Sequence, residues 1–186
     1  MTLRDEKVEQ PAHEQVYLVP SYSTAQPGEA EALETLAYML GGGPTSALYD
    51  ALVVEERVAV GAGAYYMGSA VDDTRLWVYA TPAPDVSLQD LDLAIDRVLR
   101  RFGEEPIDAE HLQRAKTRLI ADAVYAQDSQ VSLARWYGEA LATGLTIDDV
   151  AAWPERMEKV TADDVQNAAR KWLDKRRAVT GFLLPA

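Results

Sequence analysis

The run VAVGAGAYY, Val58 to Tyr66, constrains the fold more than any other segment. It is β-branched, aromatic and punctuated by glycine, a composition that suits an extended strand and makes a poor helix. A matching run, RLWVYAT from Arg75 to Thr81, follows after a connection through Gly68 to Asp73, so the two predict an antiparallel hairpin. Strand alternation puts Trp77 and Tyr79 on one face and Leu76, Val78 and Ala80 on the other, which points to two faces that are both at least partly covered.

Helical spacing surrounds this hairpin. Leu33, Leu36, Ala37 and Leu40 recur three and four apart, and Gly41-Gly42-Gly43-Pro44 stops them. Thr45 or Ser46 is placed to cap a second helix through Leu48, Tyr49, Leu52 and Val53, closed by Glu55-Glu56-Arg57. Ser87 with Asp90 opens a third helix that runs to Phe102 and Gly103. Asp108 starts the longest stretch, striped by Leu112, Ala115, Leu119, Ala123 and Ala126, with a bend at Gln127 to Ser132 before Leu133, Trp136, Tyr137 and Leu141 resume. Thr146 and Thr161 cap two more. The remaining extended segments are Lys7 to Gln10, Gln15 to Val19 and a terminal run, Ala178 to Leu184. Strands, helices, a hairpin, many helices and one last strand predict a single α+β domain over residues 1–186. It is a two-layer sandwich with a mainly antiparallel sheet and the helices on one face.

Composition narrows the function. Thirty acidic against 18 basic residues leave a net charge of −12, which repels phosphate backbones, so nucleic acid is not an expected partner. There is no cysteine, hence no thiolate nucleophile and no Cys-ligated metal. No apolar run approaches the roughly 20 residues of a bilayer span. Of the two histidines, His13 falls in a proline-flanked stretch read as a loop and His111 near a helix start beside Glu110; neither has a second histidine at zinc-ligand spacing. Gly41 to Gly43 is not followed by Gly-Lys-Ser/Thr, and Gly61-x-Gly63 has Tyr66 where a dinucleotide loop needs glycine. Ser46, Ser129 and Ser132 have no identifiable histidine base. The basic cluster Arg170, Lys171, Lys175, Arg176 and Arg177 suits the dipole at a helix end. Trp136-Tyr137 and Tyr65-Tyr66 read as core or interface aromatics. The residues themselves thus present no catalytic group and no metal site.

Four segments in order resemble the pitrilysin/insulinase family of zinc metallopeptidases, which includes the mitochondrial processing peptidases. They are LGGGPTSALYDALVVEE (Leu40 to Glu56), AEHLQRAKTRLIADAVYAQDS (Ala109 to Ser129), WPERMEKVTADDVQNAARKWL (Trp153 to Leu173) and VTGFLLP (Val179 to Pro185). The resemblance is to the second homologous domain of that family and implies a chain taken from a longer, two-domain peptidase. In such a protein the first half carries H-x-x-E-H, which binds zinc and activates water, and the peptide is cut between the halves. The second half often supplies an arginine and, seven residues on, a tyrosine that grip the substrate. Matching LVVEERVAV to that stretch puts Val53 and Val60 at those positions. The resemblance then implies a non-catalytic domain that closes a peptide-cleavage chamber, with zinc in the missing half and a homologous partner subunit carrying the arginine–tyrosine pair. It further implies a periplasmic or exported location. A structural scaffold homologue without peptidase activity is the alternative.

Overall fold

A computed structural model describes all residues, Met1–Ala186. Its one sheet has five strands: β1 (Thr2–Asp5), β2 (Ala12–Val19), β3 (Ala59–Tyr66), β4 (Thr74–Pro82) and β5 (Ala178–Pro185), in the order β1-β5-β2-β4-β3. All neighbours are antiparallel except β1 and β5. The hairpin is as expected: Ala64 pairs with Val78 and Tyr65 with Trp77.

Two extended segments differ from expectation. Lys7 to Gln10 is not a strand, because Asp5 turns the chain, its Oδ1 accepting from the Lys7 N–H at 2.8 Å and its carbonyl from the Val8 N–H at 3.1 Å. The first strand is instead Thr2–Asp5, a polar segment held by pairing Thr2 with Phe182 and Leu3 with Leu183. The second begins at Ala12 and carries His13 into the sheet, opposite Ala80 and Phe182, where it is fully buried rather than in a loop.

The helices are α1 (Glu29–Gly41), α2 (Ala47–Tyr49, widening into π-helical turns over Asp50–Glu55), α3 (Leu88–Glu104), α4 (Ala109–Ala126), α5 (Gln130–Ala142), α6 (Ile147–Glu158) and α7 (Ala162–Trp172). Their starts follow the capping chemistry. Ser87 accepts from the Asp90 N–H, Ser129 from that of Ser132, and Thr146 with Asp149 and Thr161 with Asp164 form reciprocal capping boxes. Ser46 precedes α2 but its hydroxyl caps nothing and is buried without a partner.

Helices α1, α3 and α7 lie against the sheet, and α4 and α6 pack on α1. Between the layers sit Leu33, Leu36 and Leu40 of α1, Leu91 and Ile95 of α3, Val165 of α7 and Leu76 and Val78 of β4, all essentially free of solvent contact. Each such side chain contributes about 1.5–3 kcal/mol on burial.

Candidate functional site

Strand alternation leaves the other sheet face without a helical layer. Glu14, Val16 and Leu18 of β2 stand beside Tyr79, Trp77 and Arg75 of β4, and Gly63 and Tyr65 of β3 complete the row. Tyr79 is 42% exposed and Leu18, Tyr65 and Val179 are likewise open. Tyr65 stacks obliquely on Trp77 with ring centroids 5.1 Å apart and lies 6.4 Å from Tyr79; the Arg75 guanidinium stands 5.9 Å from the Trp77 ring centre. Gly63 makes this cluster possible, since a Cβ there would lie 2.5 Å from the Tyr79 hydroxyl. The Trp77 indole N–H is buried with no acceptor. Covering of both faces of the hairpin is therefore unequal: Leu76, Val78 and Ala80 are sealed under helices, whereas Trp77 is half-buried by its neighbours alone.

This face ends at β3, which pairs only with β4 and so offers a free backbone edge. The register shift between Ala59 and Gly61 bulges Val60 outward, 55% exposed. Val53 lies half-buried in the π-helical turns of α2. Those turns are closed by the Glu56 N–H on the Ala51 carbonyl and the Val58 N–H on that of Leu52, both at 2.9 Å, with Arg57 in the left-handed region at φ 55°. Two valines at these positions supply apolar surface and neither charge nor hydrogen bond. The open face thus combines aromatic and apolar surface with two exposed charges, Glu14 and Arg75.

The titratable groups are engaged elsewhere. His13 Nε2 is 2.8 Å from Asp92 Oδ1, while Lys175 Nζ donates to Asp92 at 2.8 Å and Asp96 at 2.5 Å. Burial pushes the Asp92 carboxyl up, but hydrogen bonds from Lys175 and His13 outweigh it and hold the group below its usual range. This network joins β2, α3 and the segment before β5. His111 lies in the first turn of α4, its backbone N–H on Asp108. No group of three or more His, Asp or Glu side chains is placed to hold a metal ion, so the residues present do not fit a zinc centre. The basic cluster is likewise committed: Lys171 to Glu29 at 2.6 Å, Arg176 to Asp174 at 2.6 Å, and Arg177 over Trp172 at 4.7 Å.

One cluster has no signal in the sequence. Glu34 of α1 accepts from the Tyr22 hydroxyl and, at 3.1 Å, from the Trp153 indole N–H, joining three distant segments. Tyr66 turns inward and donates to the Pro20 carbonyl at 2.7 Å, and Trp136 meets Trp153 edge-on at 6.0 Å.

Fold and site together define an α+β half-sandwich that has no metal centre of its own and keeps one aromatic sheet face uncovered. Residues 1–119 match the family model for the peptidase M16 inactive domain, and the chain belongs to this pitrilysin/insulinase family as such an inactive domain. A protease from Helicobacter pylori superimposes with a TM-score of 0.90 at 20% identity, over 100% of this chain and 43% of that one. The inactive peptidase domain of a Bordetella parapertussis protein gives 0.85 at 21%, over 99% and 95%. A peptidase M16 inactive domain from Pseudomonas fluorescens gives 0.82 at 16%, over 100% and 42%. The chain thus spans less than half of the Helicobacter and Pseudomonas chains and nearly all of the Bordetella one. These likenesses extend the fold beyond Leu119 to the whole chain. No curated protein matches the sequence.

Proposed function

We propose that this chain is the second, zinc-free half of a two-half zinc metallopeptidase, and that its open sheet face forms one wall of the chamber in which a peptide is cut. The observation that carries this reading is the aromatic row Tyr65, Trp77 and Tyr79 left uncovered beside the free edge of β3, in an inactive domain of a peptidase family. An extended peptide or a facing domain meets there an apolar surface and unpaired backbone groups. The zinc and the water-activating glutamate belong to the first half, for which this chain has no equivalent ligands.

Val53 and Val60 occupy the positions of the family's substrate-gripping arginine and tyrosine, so the grip comes from a homologous partner subunit. Fixing a scissile carbonyl needs hydrogen-bond donors, and removing one such donor costs about 100- to 1,000-fold in rate. The test is peptide cleavage by the purified, monodisperse full-length protein, alone and mixed with its partner. A rate that rises on mixing is expected; full activity without a partner overturns the division of labour, and no activity in either mixture favours the scaffold alternative. The isolated chain, given zinc after metal-free purification, is expected to retain none stoichiometrically.

A further inference from the structure

Beyond the end of β3, between α1, α4, α5 and α6, lies a cavity of about 400 Å³. That is within the range of small-ligand pockets. Its walls include Tyr22, Tyr66, Trp136 and Trp153, with Tyr22 and Tyr66 ring centres 6.2 Å apart and Trp136 and Trp153 perpendicular. The aromatic packing is tight enough that a Cβ on Gly68 would lie 2.7 Å from the Tyr22 ring and 2.8 Å from that of Tyr66.

The cavity carries one uncommitted charge. Glu34 lines the cavity; its Oε2 accepts from Tyr22 and Trp153, and no protein group donates to its Oε1. The other charged lining groups are occupied. Arg156 is bound to buried Glu31 at 2.6 Å, Asp149 is held by the backbone and hydroxyl of Thr146, and Asp122 pairs with Arg118 at 3.1 Å. Burial raises the Glu34 carboxyl above its usual range and the nearby Glu31 charge adds to this, while Tyr22 and Trp153 oppose it. Two neutral donors, Tyr22 and Trp153, are all the chain offers this carboxylate by hydrogen bonding, and an incoming positive charge would stabilise it further.

We infer that this cavity is a binding site for a small organic ammonium ion with an apolar body, its cationic head on Glu34 Oε1 and against the aromatic faces. Aromatic rings attract a cation by their quadrupole, more strongly when it is desolvated, and an ammonium–carboxylate hydrogen bond is stronger than a neutral one. An anionic ligand would meet Glu34, Asp122 and Asp149, and a neutral one would leave the carboxylate charge uncompensated. The site is independent of the chamber reading, so either can fail without the other.

The test is titration of the 186-residue chain with phenethylammonium and, separately, with its neutral analogue 2-phenylethanol, read by tryptophan fluorescence and calorimetry. Saturable binding of the ammonium is expected, weakened about tenfold or more by Glu34→Gln, which keeps an acceptor for Tyr22 and Trp153. Ala123→Trp, which fills the cavity from α4, is expected to abolish binding with the melting transition retained. If Glu34→Gln fails to fold, the ammonium-to-alcohol affinity ratio decides in the parent chain. Equal affinity for the two probes, or no saturable ammonium binding up to about 10 mM, overturns the inference.

Discussion

Gly41, the last residue of α1, lies directly on the backbone of Ala64 in β3: a Cβ on Gly41 would overlap the Ala64 nitrogen and the Gly63 carbonyl carbon and lie 2.6 Å from Ala64 Cα. Main chain against main chain leaves no side chain to rotate away. Gly41→Ala is therefore expected to destabilise the domain by about 3 kcal/mol or more, read by urea unfolding, through overpacking rather than helix propensity, which alone favours alanine. A loss below 1 kcal/mol would mean that α1 and β3 part easily.

Asp92 predicts an acid limb. A carboxyl whose folded pKa is depressed contributes stability that is present above its unfolded pKa of about 3.9 and is lost as pH falls through the folded value. Asp92→Asn is expected to be less stable than the parent at pH 7, and to lose less of its stability between about pH 5 and pH 2. Parallel stability profiles for the two chains would show that Lys175 and His13 do not act through this carboxylate.

Glu34 predicts the opposite sign. Its carboxyl titrates above the usual range, so the folded chain holds a proton that the unfolded chain releases, and stability is fully present below about pH 4.3 and declines as pH rises toward the folded value. Glu34→Gln is expected to remove that decline and to match or exceed the parent's stability at pH 7. A variant less stable than the parent at pH 7 but not below about pH 4 would show that the charge itself holds Tyr22 and Trp153 in place.

Lys116 closes the end of α6. It is buried, and its Nζ donates to the carbonyls of Glu158 at 2.6 Å and Val160 at 3.2 Å, where the helix leaves acceptors without partners. Lys116→Met keeps the aliphatic stem and is expected to cost about 1.5–3 kcal/mol by thermal or denaturant unfolding. No change would mean that water replaces the ammonium.

The hairpin and the long helices were legible because each repeats a local rule: β-branched alternation from Val58 to Tyr66, apolar steps of three and four from Leu112 to Ala126, hydroxyl caps at Ser87, Thr146 and Thr161. β1 was not, since Thr2–Asp5 has no apolar alternation and becomes a strand only by pairing with β5, from the opposite end of the chain. His13 misled for a related reason. Flanking prolines suggest a loop, yet a half-buried partner on α3, Asp92, makes an inward histidine tolerable in the strand. Which sheet face stays open was equally beyond reach: Tyr79 and Val78 are neighbours in the sequence, and only the helical layer decides which is buried. The Glu34 cluster needs three segments folded together, so no local pattern announces it.

The proposed role of this chain is to supply a wall, and no chemistry, to a peptide chamber. Its most direct measurement is the rate at which the zinc-bearing half of the protein cleaves a fluorogenic peptide in the presence of the partner subunit, as this chain is titrated in. The chain alone is expected to cleave nothing, the rate to rise and saturate at one chain per zinc-bearing half, and Tyr79→Glu, which adds a negative charge to the open face, to remove the rise while the chain stays folded. A rate independent of the added chain, or a rise that Tyr79→Glu leaves intact, would contradict it.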